Sequence, residues 1–171
     1  MSRLQIPATI ADAPAASQPF LEAINKKLGV VPNLFRLMAN SPAALEGYLG
    51  LAGALAKGAL PAQTGERIAL AVAEINGCYY CMSAHSYLGK NVAKLGDAEM
   101  SANRNGGSND PKAAPAVQFA AKVAHERGRV SDEDLRVVRE WLHRCADRRN
   151  CCAHRAECLD ELCQRRCTHR D

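Results

Sequence analysis

Two cysteines, a histidine and a glutamate stand at spacings that suit thiol redox chemistry. Cys78 and Cys81 are separated by two residues, and His85 follows Cys81 by four positions. Residues four apart on a helix share a face, so the His85 imidazole is within reach of the Cys81 thiol. Residues three apart are close enough for a disulfide to join Cys78 to Cys81. The spacing therefore predicts a site in which a pair of thiols is oxidised and reduced.

Reduction of a peroxide by such a site makes two demands. The attacking sulfur must be a thiolate, although a free cysteine has a pKa of about 8.5, and the leaving oxygen needs a proton. A position near a helix N-terminus favours the thiolate. One cysteine would become a sulfenic acid, which the other converts to a disulfide. Glu66 lies on the preceding helix, which the turn Asn76-Gly77 folds back, so it would orient His85 or pass a proton.

The same residues are also compatible with roles that involve no redox chemistry. The two cysteines could simply pack as small buried side chains. A metal site built from Cys78, Cys81 and His85 would lack a fourth ligand for a tetrahedral ion, so we predict no metal and no cofactor. Tyr80, which lies between the cysteines, could line a pocket next to the site or only pack.

The composition excludes several other function classes. A chain of 171 residues with 47% hydrophobic and 5% aromatic residues predicts one domain with an aliphatic core. The net charge of +4 comes without a basic block interleaved with aromatics, which argues against nucleic acid as a partner. The chain has no 18-residue apolar run and its N-terminus has no apolar signal core. We therefore expect no membrane span and a cytoplasmic protein.

The elements that must position the site are all predicted to be helices. Prolines and capping residues mark their starts, and glycines mark their ends. No run of alternating apolar and polar residues is long enough for a sheet, so the predicted fold class is all-α. Residues 103–110, NRNGGSND, are predicted as a loop, with a helix starting at Asp110-Pro111 after it. A capping box from Ser131 to Asp134 predicts the start of the next helix. The other predicted starts are Gln18-Pro19, Pro32, Ser41-Pro42, Pro61 and Cys78, and the predicted ends are Gly29, Gly58, Asn76-Gly77, Gly96 and Gly128.

The last 31 residues do not look like the rest of the chain. From Trp141 they hold six of the eight cysteines, namely Cys145, Cys151, Cys152, Cys158, Cys163 and Cys167. Their spacings do not form the paired C-x2-C knuckles of a zinc module. When codons for this stretch are read from their second base, one consistent choice among the degenerate codons encodes GFTDAQIVEIAAHIALNVLTN, an amphipathic helix. We therefore predict a helical domain over residues 1–140 and a frameshifted tail over 141–171, which leaves the Ser131 helix without a partner.

The four site residues also carry a resemblance. The pattern Glu66-x11-Cys78-x2-Cys81-x3-His85, within ALAVAEINGCYYCMSAH, resembles the AhpD-like alkylhydroperoxidases of the carboxymuconolactone decarboxylase superfamily. The upstream segment PNLFRLMANSPAALEGYLGL is similar to the peroxidase-related branch of that group. The resemblance covers about residues 5–140. Members typically end in a helix of the type GYTDAEIVEIVAHVALN, which is similar to the string recovered by the shifted frame.

The resemblance implies an all-α fold assembled as a trimer or hexamer, with a peroxide as substrate and an external dithiol as reductant. By position, Cys81 would be the peroxidatic thiol and Cys78 the resolving one, and Glu66 and His85 would form the proton relay. Some members have a histidine directly before the second cysteine, where this chain has Tyr80. Two alternatives remain, a lactone decarboxylase as elsewhere in the superfamily and a dithiol redox sensor without catalysis. The first has no use for a redox dithiol.

Overall fold

The regular elements are all helical over residues 4–58 and 60–146, which are the residues that the computed structural model describes. The prediction of an all-α fold is confirmed. None of these helices is long and apolar enough to cross a membrane, as far as the described residues go. The elements are a 3-10 turn, Ala15–Ser17, followed by α1 Gln18–Leu28, α2 Asn33–Met38, α3 Pro42–Leu55, α4 Ala62–Ile75, α5 Tyr79–Asn91, α6 Asp97–Arg104, α7 Ala114–His125 and α8 Asp132–Ala146.

The chain divides into two compact units, and the first ends at Leu55. Burial of aliphatic side chains from α1, α3 and the connecting segments forms its core. Ser17 is fully buried there, and its hydroxyl donates a hydrogen bond of 2.7 Å to the Ala39 carbonyl. That bond satisfies a polar group that would otherwise be costly to bury. The core residues are Ala13, Leu21, Ile24, Val31, Ala39 and Leu45.

The second unit begins at Ala56 and is organised around α4. This helix packs against α5, α6 and α7, and α8 packs against α7. Leu70 and Ala71 of α4 and Val117 of α7 have no exposed surface. Contacts with three neighbouring helices fix the position of α4. They therefore also fix the direction of the side chains on the rest of its surface. Glu66 is one of these residues.

Several helix ends follow the local signals in the sequence. Gly29 and Gly77 end α1 and α4 with φ angles of +73° and +61°, a conformation in which a side chain would be strained. At the start of α8 the predicted capping box is present. The Asp134 N–H donates to Ser131 Oγ at 3.2 Å, and the Ser131 N–H donates to Asp134 Oδ2 at 2.9 Å.

The sequence-based prediction is wrong between Asn91 and Ala114, because α5 ends at Asn91 and Gly96 is the N-cap of α6. It contains no helix at the position of α6, and it places the last residues of α6, Asn103 and Arg104, in the loop. Only eight residues long and poor in apolar residues, α6 gives no clear periodic signal. Helix α7 begins at Ala114 and not at Asp110, because the Asp110 carboxylate accepts the Lys112 N–H at 2.9 Å and holds a turn there.

The change of composition at Trp141 does not end the last described helix. Helix α8 runs through Trp141 to Ala146 and packs on α7, with Val138 buried. The Trp141 indole N–H donates a hydrogen bond of 2.8 Å to the Lys112 carbonyl. The prediction that this helix lacks a partner is therefore wrong. Residues 147–171, which carry most of the predicted frameshifted tail, lie outside the described residues, and the domain assignment stays a prediction.

An ionic cluster around the half-buried Glu99 connects α4 to α6. Glu99 of α6 accepts hydrogen bonds from Arg67 of α4 at 2.8 Å and from Asn103 at 2.9 Å. It also accepts bonds from the Ser108 hydroxyl at 2.5 Å and the Asn109 N–H at 2.8 Å. Burial raises the pKa of Glu99, but these hydrogen bonds outweigh it and lower the pKa from 4.5 to about 2. The folded protein therefore holds this carboxylate ionised.

The free energy of unfolding should decrease in acid, because Glu99 is then protonated. Its pKa is lower in the folded than in the unfolded chain, so its contribution is complete above about pH 4.5 and is lost as the pH falls toward about 2. We expect Glu99→Gln to remove this part of the pH dependence and to destabilise the protein at neutral pH. Urea unfolding followed by circular dichroism at neutral pH and at about pH 3 measures both effects.

The control for this prediction is Glu126→Gln, which removes one exposed carboxylate from the end of α7. That variant should keep the wild-type loss of unfolding free energy on acidification. An equal loss in Glu99→Gln and in the wild type would contradict the assignment of the acid-sensitive contribution to Glu99.

Candidate active site

The two cysteines of the candidate site lie at the beginning of α5. The chain leaves α4 through Gly77, and the Cys78 N–H donates to the Ala73 carbonyl at 3.0 Å, which closes the turn. Cys78 has an extended backbone, with φ −86° and ψ 91°, and is the N-cap of α5. Cys81 is therefore the third residue of the helix. The sequence predicts that this helix starts at Cys78. In the structure it starts one residue later, at Tyr79, so Cys78 caps the helix.

A disulfide joins Cys78 to Cys81, with 5.3 Å between their Cα atoms. The Cys81 backbone N–H also donates a hydrogen bond of 3.2 Å to Cys78 Sγ. The free N–H groups of a first helical turn commonly bond to the side chain of the N-cap residue, and here a sulfur takes that place. Both residues are half-buried, so a small reactant has access to the site from solvent.

Glu66 and His85 meet across the contact between α4 and α5. His85 Nδ1 and Glu66 Oε2 are 2.8 Å apart, and the two side chains are 33% and 22% exposed, with His85 the more exposed. A carboxylate on one ring nitrogen fixes the orientation of an imidazole and favours the tautomer with its proton on that nitrogen. In that tautomer Nε2 carries a lone pair. His85 can therefore accept a proton at Nε2, and the Glu66 carboxylate then places a negative charge next to the imidazolium that forms.

The structure joins the four residues in two pairs, Cys78 to Cys81 by the disulfide and Glu66 to His85 by a contact between α4 and α5. Cys81 and His85 lie four residues apart on α5, which places them on the same face of that helix. Glu66 reaches His85 from α4. The arrangement combines a dithiol with an oriented base, and this combination can perform proton-coupled thiol chemistry.

Tyr80, which directly precedes Cys81 in the chain, has an exposed side chain. Its side chain is 45% exposed, and that of the neighbouring Tyr79 is 88% exposed. Tyr80 is therefore not a core residue, and its place next to the site stays a prediction. Within residues 4–58 and 60–146 no group of three or more histidine, cysteine or acidic residues is placed so that it could hold a metal ion.

Sequence reasoning missed Arg67, the residue that follows Glu66. Its side chain is buried, and besides Glu99 it reaches Asp110, with 3.4 Å between Nη2 and Oδ2. By tying this turn of α4 to α6 and the following loop, it helps to fix the direction of Glu66. A signal was present, because Arg67 stands three and four positions before Leu70 and Ala71, on the apolar face of α4.

Comparisons with known proteins agree with this description. The sequence profile of the carboxymuconolactone decarboxylase family matches residues 42–126, which include the whole candidate site. Among solved structures, an uncharacterized peroxidase-related protein from Silicibacter sp. TM1040 superposes with a TM-score of 0.66 at 26% sequence identity. The match covers 82% of this chain and 78% of that one. No protein among the curated ones matches significantly.

Proposed function

Because this chain belongs to the carboxymuconolactone decarboxylase superfamily and pairs a dithiol with an oriented histidine, we propose that it is a thiol-dependent alkylhydroperoxidase. The observation that carries the proposal is the disulfide between Cys78 and Cys81 on the helix that presents His85. A lactone decarboxylase has no need of a redox-active cysteine pair next to its base. A relative named peroxidase-related has the same fold, which also supports the proposal.

In the first step Cys81 attacks the peroxide. His85 Nε2 takes the proton of the Cys81 thiol, and Glu66 supports the imidazolium that forms. The thiolate attacks the terminal oxygen of the hydroperoxide, and the O–O bond breaks. The leaving alkoxide takes the proton back from His85 and departs as an alcohol. Cys81 is then a sulfenic acid, and His85 is neutral again.

In the second step Cys78 resolves the sulfenic acid. Its thiolate attacks Cys81 Sγ, the S–O bond breaks and the hydroxide leaves as water after protonation. The peroxide has then gained two electrons, which the two thiols have lost in forming their disulfide. Return to the dithiol needs an external dithiol as reductant, which we propose as the partner of this site.

The proposal also includes assembly and location. Helix α3 is apolar, yet Tyr48 and Leu51 are 40% and 47% exposed within the single chain. A homo-oligomer, a trimer or a hexamer, would cover such side chains. We propose a cytoplasmic location, because thiols are kept reduced there and a dithiol reductant would be available.

The test is a single turnover followed on one peptide. One equivalent of cumene hydroperoxide is added to the reduced protein, which is then alkylated and digested with trypsin. Residues 68–90 form one tryptic peptide that carries Cys78 and Cys81 and no other cysteine. We expect it to hold an internal disulfide in proportion to the alcohol formed, while multiple turnovers proceed with dithiothreitol as reductant.

The six cysteines from Cys145 to Cys167 provide the control for this experiment. Replacing all of them with serine should leave the oxidation of peptide 68–90 and the turnover unchanged, because the proposed chemistry does not use them. Alcohol formed without oxidation of that peptide would contradict the proposal.

A further inference from the structure

An asparagine followed by a glycine forms the turn that joins the two helices of the candidate site. Asn76 is the C-cap of α4, Gly77 follows it with a φ angle of +61°, and α5 begins two residues later. Both residues are exposed. An asparagine in this dipeptide can react with its own backbone, because glycine has no side chain that hinders the approach of its nitrogen. The turn is therefore a candidate site of chemical modification.

The reaction is deamidation of Asn76, and water is its only co-reactant. The Gly77 nitrogen loses its proton and attacks the side-chain carbonyl carbon of Asn76, so that a new C–N bond closes a succinimide ring. The C–N bond to Nδ2 breaks, and the side-chain nitrogen leaves as ammonia. Water then opens the ring at either of its two carbonyls, which yields aspartate or isoaspartate. In isoaspartate the main chain runs through the former side chain and is one methylene longer.

The structure places few restraints on this dipeptide. Within residues 4–58 and 60–146 no group hydrogen-bonds to the Asn76 side-chain amide. Nothing lies within 4 Å of the position that a Cβ on Gly77 would occupy. The Gly77 N–H donates to the Glu74 carbonyl at 3.0 Å, and this bond must open before the nitrogen can attack. It belongs to the last turn of α4, and hydrogen bonds at fraying ends open at a small cost in free energy.

A second Asn-Gly dipeptide, Asn105-Gly106, is restrained by the structure. The Asn105 side-chain amide donates to the Ser101 carbonyl at 2.9 Å, which holds it against its own helix. A Cβ on Gly106 would lie 3.2 Å from the Ala121 Cβ, so this glycine packs closely against α7. The two dipeptides are the same in sequence, and the tertiary structure distinguishes them.

We propose that Asn76 is a site of spontaneous deamidation in the folded protein and that it reacts faster than Asn105. The difference follows from the side-chain hydrogen bond and the close packing that only the second dipeptide has. The modification needs neither a peroxide nor a redox-active cysteine pair. The inference is therefore independent of the proposed function.

Modification of Asn76 would change the geometry between α4 and α5. Isoaspartate lengthens the turn, which is now closed by a bond of 3.0 Å from the Cys78 N–H to the Ala73 carbonyl. The new carboxylate also adds a negative charge at the C-terminal end of α4, where the helix dipole makes it unfavourable. Both effects weaken the packing of α5 on α4, and with it the contact between Glu66 and His85.

The test compares the two asparagines in one sample. The protein is kept at neutral pH and physiological temperature, then reduced, alkylated and digested with trypsin. Asn76 is the only asparagine of peptide 68–90, and Asn105 lies in peptide 105–112. Mass spectrometry measures deamidation of each peptide against a sample digested at the start, and electron-transfer fragmentation identifies isoaspartate and assigns the modified residue.

We expect deamidation of Asn105 to be about two- to tenfold slower than that of Asn76, the factor that one net hydrogen bond provides. Equal rates, a faster reaction at Asn105 or an unmodified Asn76 would overturn the proposal. Incubation in urea separates structure from sequence, because the unfolded chain has neither restraint and the two rates should become similar. A preference for Asn76 of the same size in urea would refute the structural explanation.

The variant Asn76→Gln tests the effect of the modification on the fold. Glutamine keeps the amide, but its longer side chain does not close the succinimide ring. After the same incubation we expect the wild type to unfold at a lower urea concentration than a fresh sample, as measured by circular dichroism, and Asn76→Gln to be unchanged. An equal decrease in the variant would contradict the assignment of the effect to Asn76.

Discussion

Replacing Cys81 with serine should lower the rate of peroxide reduction by at least about three orders of magnitude. A serine hydroxyl at this position is not ionised near neutral pH, so His85 has no thiol to activate and no sulfenic acid can form. Turnover is measured as alcohol formed from cumene hydroperoxide with dithiothreitol as reductant. Of the two site cysteines only Cys78 remains in Cys81→Ser, and it lies at the N-cap, one turn before the position that His85 is proposed to serve.

Two further variants test whether the loss of peroxide reduction in Cys81→Ser is due to the role of Cys81 as the peroxidatic thiol. Cys78→Ser should complete the first step once and then stop as a sulfenic acid on Cys81, which dimedone traps on peptide 68–90. Ser83→Ala changes an exposed side chain on the same helix and should keep wild-type turnover. Wild-type turnover in Cys81→Ser would rule out Cys81 as the peroxidatic thiol.

The second large effect is expected at the Glu66–His85 pair. Removing a positioned general base typically lowers a rate by about 10²–10⁴-fold, and we expect His85→Ala to lower kcat/KM within this range at neutral pH. The loss should shrink as the pH rises toward the pKa of about 8.5 of a free cysteine, because solvent then deprotonates Cys81 without the histidine. The measurement is the pH profile of kcat/KM for the variant and for the wild type.

Glu66→Gln separates orientation from charge. A glutamine oxygen can still accept the His85 Nδ1–H bond, but it leaves the imidazolium without a neighbouring anion. We expect a smaller loss than in His85→Ala, because the tautomer is kept and the positive charge is no longer supported.

Glu74→Gln is the matched control on the same helix. Glu74 pairs with Arg104 at the surface, with 2.7 Å between the nearest atoms, and lies two turns after Glu66. Its removal should have little effect on kcat/KM, since exposed ion pairs contribute little. A loss in Glu74→Gln as large as in Glu66→Gln would show that charge removal anywhere on α4 disturbs the protein, and that the effect is not specific to the relay.

The sequence was most informative where a signal acts over a few residues. Proline and glycine restrict backbone conformation locally, and a capping side chain bonds within its own turn. For this reason the beginning of α1 at Gln18, the end of α4 at Gly77 and the capping box at Ser131 could all be predicted. The same local reasoning found Cys78, Cys81 and His85, because all three lie within two turns of one helix.

Local reasoning failed where neighbours decide the structure. Helix α6 has few apolar residues, and it is fixed by the bonds that Glu99 makes to Arg67 and to the loop after the helix. Helix α8 continues beyond the change in composition because it packs on α7 and because Trp141 donates a hydrogen bond to the Lys112 carbonyl. In both cases the contacts join residues that are far apart in the sequence, and no pattern within one segment records them.

For the candidate site, the sequence by itself determined the residue types and their spacing, two cysteines with a histidine four residues after the second. The tertiary structure decided which of these groups are paired and how they are oriented. Glu66 reaches His85 over 19 positions only because Gly77 turns the chain and α4 packs on α5. The start of α5 one residue after Cys78 points the Cys81 N–H at the first sulfur. The types and spacing of residues can be read from the sequence. The directions of hydrogen bonds depend on where a helix begins and on which helix packs against it.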